Sequence, residues 1–219
     1  MQHPQTRILI VDDQESIRIS LSQVLIELGY RVSSAADGFA ALREMKREVP
    51  EILLSDLNMP GMSGFELLTV VRFRFPAIQV IAMSGSFSGR EVPSGVAADG
   101  FYGKGCGIAA LLKVIQSMPS QKRPLPKHPE VLTPVLVQAH GPDASGNDYV
   151  TIVCPECLRS FYQTLDCLPS ELQKANCIYC STSIHYAIAQ PVNGSPLEAF
   201  KHFPAGRFQK PVTTVQYSY

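Results

Sequence analysis

Unbroken runs of apolar residues alternate with amphipathic stretches over the first half of the chain. The runs are RILIV (7–11), EILLS (51–55) and IQVIAM (78–83). Because they lack alternating polar residues, they predict strands of a parallel sheet that is covered on both faces. A weaker run, RVSSAA (31–36), and a short one at 101–103 predict two further strands.

Helical periodicity fills the intervals between these runs. Ile17, Leu21 and Leu25 lie on one helical face, and Gly29 follows them, as expected of a C-cap. Similar stripes lie before the third predicted strand, after it, and at the end of this half. Five strands that alternate with helices predict an α/β fold, a doubly wound five-stranded parallel sheet, over residues 1–117.

The second half of the chain differs from the first in composition and hydrophobic pattern. Residues 118–148 contain repeated prolines and no amphipathic period, so they predict a semi-extended linker in which only VLVQA (135–139) has strand character. A small second domain is predicted at 149–190, and a tail at 191–219. In the tail, SPLE is a capping box with proline at the first helical position, which predicts one short helix.

Composition narrows the class of protein. The chain has 219 residues and a formal net charge of zero, so no overall charge attracts it to nucleic acid or membranes. The apolar core of MQHPQTRILIVDD is too short for a signal peptide, and no later stretch reaches the ~18 apolar residues of a membrane span. We therefore predict a cytoplasmic protein without a membrane partner.

Polar side chains follow the predicted strands. Asp12 and Asp13 follow the first strand, Asp56 the third, Ser84 the fourth and Lys104 the last. These ends border the ligand crevice of a doubly wound sheet, so the side chains should converge there. Carboxylates at one mouth repel one another unless a cation lies among them, and a small set of oxygen ligands suits Mg²⁺ better than Ca²⁺.

Four motifs in this half are LIVDD, SDLNMPGMSGFELL, AMSG and FYGKG. In order and spacing they resemble those of a bacterial two-component response regulator receiver domain. The resemblance implies a flavodoxin-like strand order of 2-1-3-4-5, Mg²⁺ as a cofactor and a sensor histidine kinase as a partner. It also implies that Asp56 is the phosphoryl acceptor, which agrees with the use of carboxylates as nucleophiles.

The same resemblance implies a ligand set for Mg²⁺. Asp13 and Asp56 would bind the ion through their side chains. Asn58 would bind it through its backbone carbonyl, and Asp12 through water.

Three further residues would act on the phosphoryl group by the same resemblance. Ser84 would bind a phosphoryl oxygen, Lys104 would supply a positive charge, and Phe101 would change rotamer together with Ser84. The sequence departs from the family in two places. Gly105 stands where the family usually has proline, and Pro93 predicts that the fourth helix is truncated or broken.

Four cysteines in the predicted second domain form two C-x-x-C pairs. Cys154, Cys157, Cys177 and Cys180 read C-x2-C-x19-C-x2-C, which is the spacing of a tetrathiolate zinc site. In a reducing cytosol this pattern favours metal ligation over disulfides, and the alternatives are a redox pair or buried thiols.

The stretch that contains them resembles a zinc ribbon, a small β domain. About 40 residues make too small a core to fold unaided, so Zn²⁺ would be structural. Such ribbons usually place glycine after the second cysteine of each pair. Leu158 and Ser181 occupy those positions here, where a positive φ would be costly.

Together these features predict a non-enzymatic response regulator that accepts a phosphoryl group on Asp56 and signals through a zinc ribbon that binds an output protein. One alternative is a DNA- or RNA-binding transcriptional regulator that uses the ribbon and the aromatic, basic tail. A second is a receiver-like scaffold that is never phosphorylated, and a third is a metallophosphatase, which is disfavoured because no base or DxDxT pattern accompanies Asp56. Basic and acidic residues nearly balance in the second half, which disfavours nucleic acid as a partner.

Overall fold

The computed structural model describes residues 6–85, 96–118, 134–142, 144, 146–165 and 172–189. Within these ranges the chain forms two five-stranded sheets. No helix of the described part combines the length and hydropathy needed to cross a membrane. The predicted tail with its short helix, and the region of Pro93, lie outside the described residues.

The first sheet has the predicted parallel, doubly wound topology. Its strands lie in the order β2-β1-β3-β4-β5, and every neighbouring pair is parallel. The strands are β1 (Arg7–Val11), β2 (Arg31–Ala35), β3 (Ile52–Asp56), β4 (Gln79–Ser84) and β5 (Gly100–Gly103). The prediction of fold and strand order from the sequence is therefore confirmed.

Helices cover both faces of this sheet because its strands turn alternate side chains to opposite sides. The helices are α1 (Glu15–Glu27), α2 (Gly38–Arg47), α3 (Gly64–Arg74) and α4 (Ile108–Ser117). The face of Ile8 and Ile10 packs against α1 and α4. The face of Leu9 and Val11 packs against α2 and α3.

The second sheet, called the C-terminal sheet below, is mostly antiparallel. Its order is β8-β7-β6-β10-β9, and only β6 and β10 are parallel. The strands are β6 (Val135–His140), β7 (Asp148–Val153), β8 (Ser160–Leu165), β9 (Gln173–Asn176) and β10 (Ser183–Ala189). The expected strand at VLVQA is thus present as β6, inside the stretch 118–148 that the sequence predicted as a linker.

The C-terminal sheet packs against α3 of the first domain. Every residue of α3 from Gly64 to Val71 is buried, although a surface helix normally keeps one polar face. Strand β6 packs over the face of α3 that would otherwise be exposed. Its residues Val135, Leu136 and Val137 belong to the same apolar cluster as α2 and α3. The two domains therefore share one continuous apolar core.

Candidate functional site

Three carboxylates and one ammonium meet at the carboxyl edge of the first sheet, as the strand ends predicted. The Nζ of Lys104 lies 2.8 Å from Asp56 Oδ2 and 2.8 Å from Asp12 Oδ2. Asp12 is fully buried and Asp56 is 3% exposed, whereas Asp13 is exposed. Asp12, Asp13 and Asp56 are called the acidic cluster below.

The backbone around Asp12 is fixed on several sides. Its amide donates to the carbonyl of Ala35 (3.2 Å), and its Oδ1 accepts from the backbone N–H of Gln14 (2.9 Å). Arg18 Nη1 donates to the carbonyls of Asp12 (2.8 Å) and Asp13 (3.1 Å). The contact between Asp12 Oδ2 and Lys104 is an ion pair without good hydrogen-bond geometry, so this buried oxygen has no hydrogen bond within the described ranges.

Burial and charge act in opposite directions on this cluster. Burial raises the pKa of Asp56, as does the nearby Asp12 carboxylate, while Lys104 and the backbone N–H of Asn58 oppose the rise. Burial alone would lower the pKa of Lys104. Its contacts with Asp12 and Asp56 outweigh burial, so the pKa of Lys104 is raised and the ammonium stays charged.

The acidic cluster fits a divalent cation with oxygen ligands. Carboxylate oxygens of Asp12, Asp13 and Asp56 all lie within 4.8 Å of one another. One ammonium faces three carboxylates, and one buried carboxylate oxygen lacks a hydrogen bond. Mg²⁺ would offset both features, since it binds a few carboxylates and keeps the rest of its shell for water and phosphate.

The loop after Asp56 is held by a close backbone contact. Gly64, the first residue of α3, packs on the end of β3 so tightly that a Cβ there would lie 1.9 Å from the Asp56 carbonyl oxygen. The amide of Gly64 also donates to the carbonyl of Leu57 (3.0 Å). This contact fixes the position of the Asp56 backbone relative to α3.

Two further predicted residues, Ser84 and Phe101, lie on the neighbouring strands β4 and β5. Ser84 ends β4, directly after Met83, which is paired with Asp56 across the two strands. Ser84 and Phe101 are both buried, and Phe101 of β5 is paired with Ala82 of β4. Gly105 follows Lys104 in a 3₁₀ turn (Lys104–Cys106).

The four predicted zinc ligands converge in the C-terminal sheet region. The Sγ atoms of Cys154 and Cys180 are 3.6 Å apart, as are those of Cys157 and Cys177, and all four lie within 4.8 Å of one another. A tetrahedral site with zinc–sulfur bonds of ~2.3 Å has sulfur–sulfur edges of about 3.8 Å. The sulfur positions therefore fit one Zn²⁺.

Each cysteine pair forms the same backbone knuckle. In the first, Leu158 N–H donates to the Cys154 carbonyl (2.8 Å), and Cys154 N–H donates to the Arg159 carbonyl (2.9 Å). The second repeats both bonds between Cys177 and its followers Ser181 and Thr182 (2.9 Å each). Leu158 and Ser181 have φ values of 55° and 60°, so the positive φ expected at these two positions is present without glycine.

Without a cation the four thiols would not all ionise. Burial raises the pKa of Cys154 to about 12, and burial also raises the pKa of Cys157. Hydrogen bonding with Thr182 lowers the pKa of Cys180 to about 6. A bound metal ion would favour the thiolate form of Cys154 and Cys157.

Sequence reasoning did not single out Glu66, which the structure places at the junction of the two domains. This carboxylate is 5% exposed and accepts hydrogen bonds from both Ser63 and Gln138. Burial raises the pKa of Glu66, and the bonds from Ser63 and Gln138 oppose the rise. A capping-box pattern at SGFE and the absence of a polar face in α3 were the signals available.

The doubly wound sheet with a carboxylate cluster and a facing lysine defines a class of signalling domain. Residues 8–116 match the response regulator receiver domain family. Over this part, the chain belongs to that family.

Three similar proteins illustrate the match. Sporulation initiation phosphotransferase F of Bacillus subtilis (strain 168) is 42% identical over 78 residues, which are 36% of this chain and 63% of that protein. Chemotaxis protein CheY4 of Vibrio cholerae is 32% identical, with 51% of this chain and 97% of that chain covered and a TM-score of 0.47. TrrA of Thermotoga maritima, solved in complex with histidine kinase ThkA, is 30% identical, with 51% and 96% covered and a TM-score of 0.47. Alignments to the first curated relatives cover between 16% and 63% of those proteins.

Proposed function

We propose that this chain is a response regulator that accepts a phosphoryl group on Asp56 from a sensor histidine kinase. One observation carries the proposal: the Nζ of Lys104 lies 2.8 Å from a carboxylate oxygen of Asp56 at the mouth of a receiver domain. An ammonium in this position neutralises negative charge on an incoming phosphoryl group.

Asp56 is the best acceptor of the three carboxylates. Asp12 is fully buried, and its Oδ1 is held by the amide of Gln14. Asp13 is exposed and forms no ion pair with Lys104 within the described ranges, so its charge is better suited to binding a cation. Asp56 is 3% exposed, ends β3 and contacts the ammonium of Lys104.

The transfer step requires little covalent chemistry from the protein. A carboxylate oxygen of Asp56 attacks phosphorus as the bond from phosphorus to the kinase histidine nitrogen breaks. The electron pair of that bond stays on the imidazole, and the product on Asp56 is an acyl phosphate. Lys104 remains protonated throughout because its pKa is raised by the two carboxylates.

Mg²⁺ bound by the acidic cluster would supply further positive charge during transfer. Asp13 and Asp56 would hold it through their side chains, Asp12 through water, and Asn58 through its carbonyl. Ser84 would bind a phosphoryl oxygen afterwards and Phe101 would change rotamer with it. Their burial on the neighbouring strands β4 and β5 supports this assignment.

Zn²⁺ in the C-terminal domain is proposed to be structural. Cys154, Cys157, Cys177 and Cys180 fill all four tetrahedral positions, so the site has no open place for water or substrate. We place this domain at β6 to β10, and it would fold only with the metal bound.

The output is proposed to be a protein partner in the cytoplasm. The second knuckle presents Ile178 (70% exposed) and Tyr179 (51% exposed), with the Arg159 guanidinium 5.2 Å from the Tyr179 ring centre. Exposed apolar side chains at a rigid knuckle favour a protein surface over phosphate groups. The nucleic-acid alternative predicts instead binding that weakens steeply with salt.

The proposal is tested by incubating the full chain with acetyl phosphate and Mg²⁺ and measuring the intact mass. We expect one phosphoryl adduct in wild type and none in Asp56→Asn. Asp148→Asn, which changes a carboxylate of β7 in the C-terminal sheet and outside the acidic cluster, is the matched control and should label like wild type. Equal labelling of Asp56→Asn would refute the site, and absence of label with both phosphodonor and cognate kinase would favour the unphosphorylated scaffold.

A further inference from the structure

We propose that Glu66 couples the acidic cluster to the C-terminal sheet, so that a phosphoryl group on Asp56 changes how that sheet docks on the receiver. The inference rests on the proposed role of Asp56. The interface between α3 and β6 is then the surface at which phosphorylation alters the docking of the C-terminal sheet.

The carboxylate of Glu66 is shared between the two domains. Its Oε2 accepts from the backbone N–H and from the hydroxyl of Ser63, both at 2.8 Å, which caps the start of α3. Its Oε1 accepts from the backbone N–H of Gln138 in β6 at 2.9 Å. Each oxygen thus serves one domain, and rotation of the carboxyl group would disturb both sets of bonds.

The capped end of α3 is also the part of the helix that touches Asp56. Gly64, between Ser63 and Glu66, packs on the Asp56 carbonyl with no room for a Cβ. A shift of the Asp56 backbone must therefore move the first turn of α3, because close-packed backbone cannot absorb it. The path from Asp56 to Gln138 runs through contacts only, without a gap.

Strand β6 is suited to respond at this point. It pairs with β10 over Val135 to Gln138 and with β7 only at Ala139 and His140. The amide of Gln138 is thus bonded to Glu66 where the strand passes from one partner to the other. A second contact, from Lys46 Nζ to the Leu158 carbonyl (3.2 Å), joins α2 to the first zinc knuckle.

Docking and phosphorylation are then linked thermodynamically. If a phosphoryl group on Asp56 favours undocking of the sheet by a given free energy, undocking of the sheet favours phosphorylation of Asp56 by the same free energy. The structure shows the sheet docked on α3 with the Gln138–Glu66 bond formed. Added bulk and charge at Asp56 would displace Gly64 and weaken the bond to Gln138.

The experiment measures amide exchange of the peptide containing Gln138 in the full chain, alone, with Mg²⁺, and with Mg²⁺ and acetyl phosphate. Phosphorylation should speed the exchange of this amide by about fivefold or more, the usual scale of coupling between sites. Glu66→Gln should exchange about tenfold faster before any addition and then show no response, because its single amide oxygen can face the two Ser63 donors or the Gln138 N–H but not both, and the Ser63 side offers two bonds. Glu44→Gln, which changes a half-buried carboxylate of α2 paired only with Arg47 among described residues, should behave like wild type.

Intact mass of each sample separates the two proposals. Phosphorylated wild type with unchanged or slower exchange at Gln138 would overturn the coupling. If no phosphate is found, the acceptor role falls, and the coupling stands only if Mg²⁺ alone changes the exchange in wild type and not in Glu66→Gln. The wild-type comparison needs no variant, so it decides the coupling even if Glu66→Gln does not fold.

Discussion

Replacement of Gly64 by alanine tests the contact that holds the Asp56 loop against α3. A Cβ at this position would lie 1.9 Å from the Asp56 carbonyl oxygen and 2.7 Å from the Leu57 Cα. Non-bonded atoms prefer separations of roughly 3.5 Å, so the strand end and the helix must move apart by about 1.5 Å. Both neighbours are backbone, which cannot rotate away as a side chain would.

The expected loss of stability follows from this displacement. Overpacking a close contact costs about 1–3 kcal/mol, and a clash with backbone at both sides places Gly64→Ala at the upper end. Alanine at the first position of a helix recovers less than ~1 kcal/mol of helix propensity. A net destabilisation of about 2 kcal/mol or more is expected, and the displaced Asp56 backbone should also slow labelling by acetyl phosphate.

Urea unfolding followed by circular dichroism at 222 nm measures this change in the receiver, because every α-helix of the described residues lies there. With a slope of about 1–3 kcal/mol per molar urea, the midpoint should fall by roughly 1 M. Gly105→Ala is the control, since a Cβ at Gly105 meets nothing within 4 Å. Its midpoint should be unchanged or slightly raised. Equal midpoints for Gly64→Ala and wild type would refute the close contact.

Three further results are expected. Chelation of Zn²⁺, or Cys154→Ser, should abolish amide protection in β7 to β10 while the 222 nm signal persists, because structural zinc typically contributes ~10–16 kcal/mol to folding. Cys106→Ser is the control and should leave the protection unchanged. Protection that survives with four free thiols would contradict a structural metal. Ser181→Gly should raise the stability of the C-terminal domain by about 1 kcal/mol, because glycine adopts a positive φ without the strain of a side chain. A lower thermal unfolding midpoint for Ser181→Gly than for wild type would contradict this strain. Burial raises the pKa of Glu66, so folding favours its protonated form. Wild type should therefore lose stability relative to Glu66→Gln as pH rises from 4.5 through the folded-state pKa of Glu66. A difference in unfolding free energy that stays constant across that window would contradict the shift.

Much of the receiver could be predicted because its signals are local. The apolar runs predicted the strands, and the rule that ligands bind at strand ends placed Asp12, Asp56 and Lys104 at one edge of the sheet, where the three side chains are in contact. The cysteine spacing likewise predicted the cluster of four thiols, and the positions expected to need a positive φ, Leu158 and Ser181, have one.

The contact between the domains could not be predicted because it depends on long-range pairing. Strand β6 lies in a proline-rich stretch, and its pairing with β10 joins residues about 50 positions apart. The sequence did not single out Glu66, and only the approach of Gln138 gives its second oxygen a partner from the other domain. The one sequence signal was α3 itself, whose residues from Gly64 to Val71 lack the polar face of a helix exposed to water.

The central claim is that Asp56, and no other carboxylate of the acidic cluster, carries the phosphoryl group. Borohydride reduces an acyl phosphate to the corresponding alcohol, so peptide mapping after reduction of phosphorylated wild type reads the modified position directly. Homoserine in place of Asp56, with Asp12 and Asp13 unchanged, is the result we predict. Homoserine at position 12 or 13, with Asp56 intact, would contradict the account.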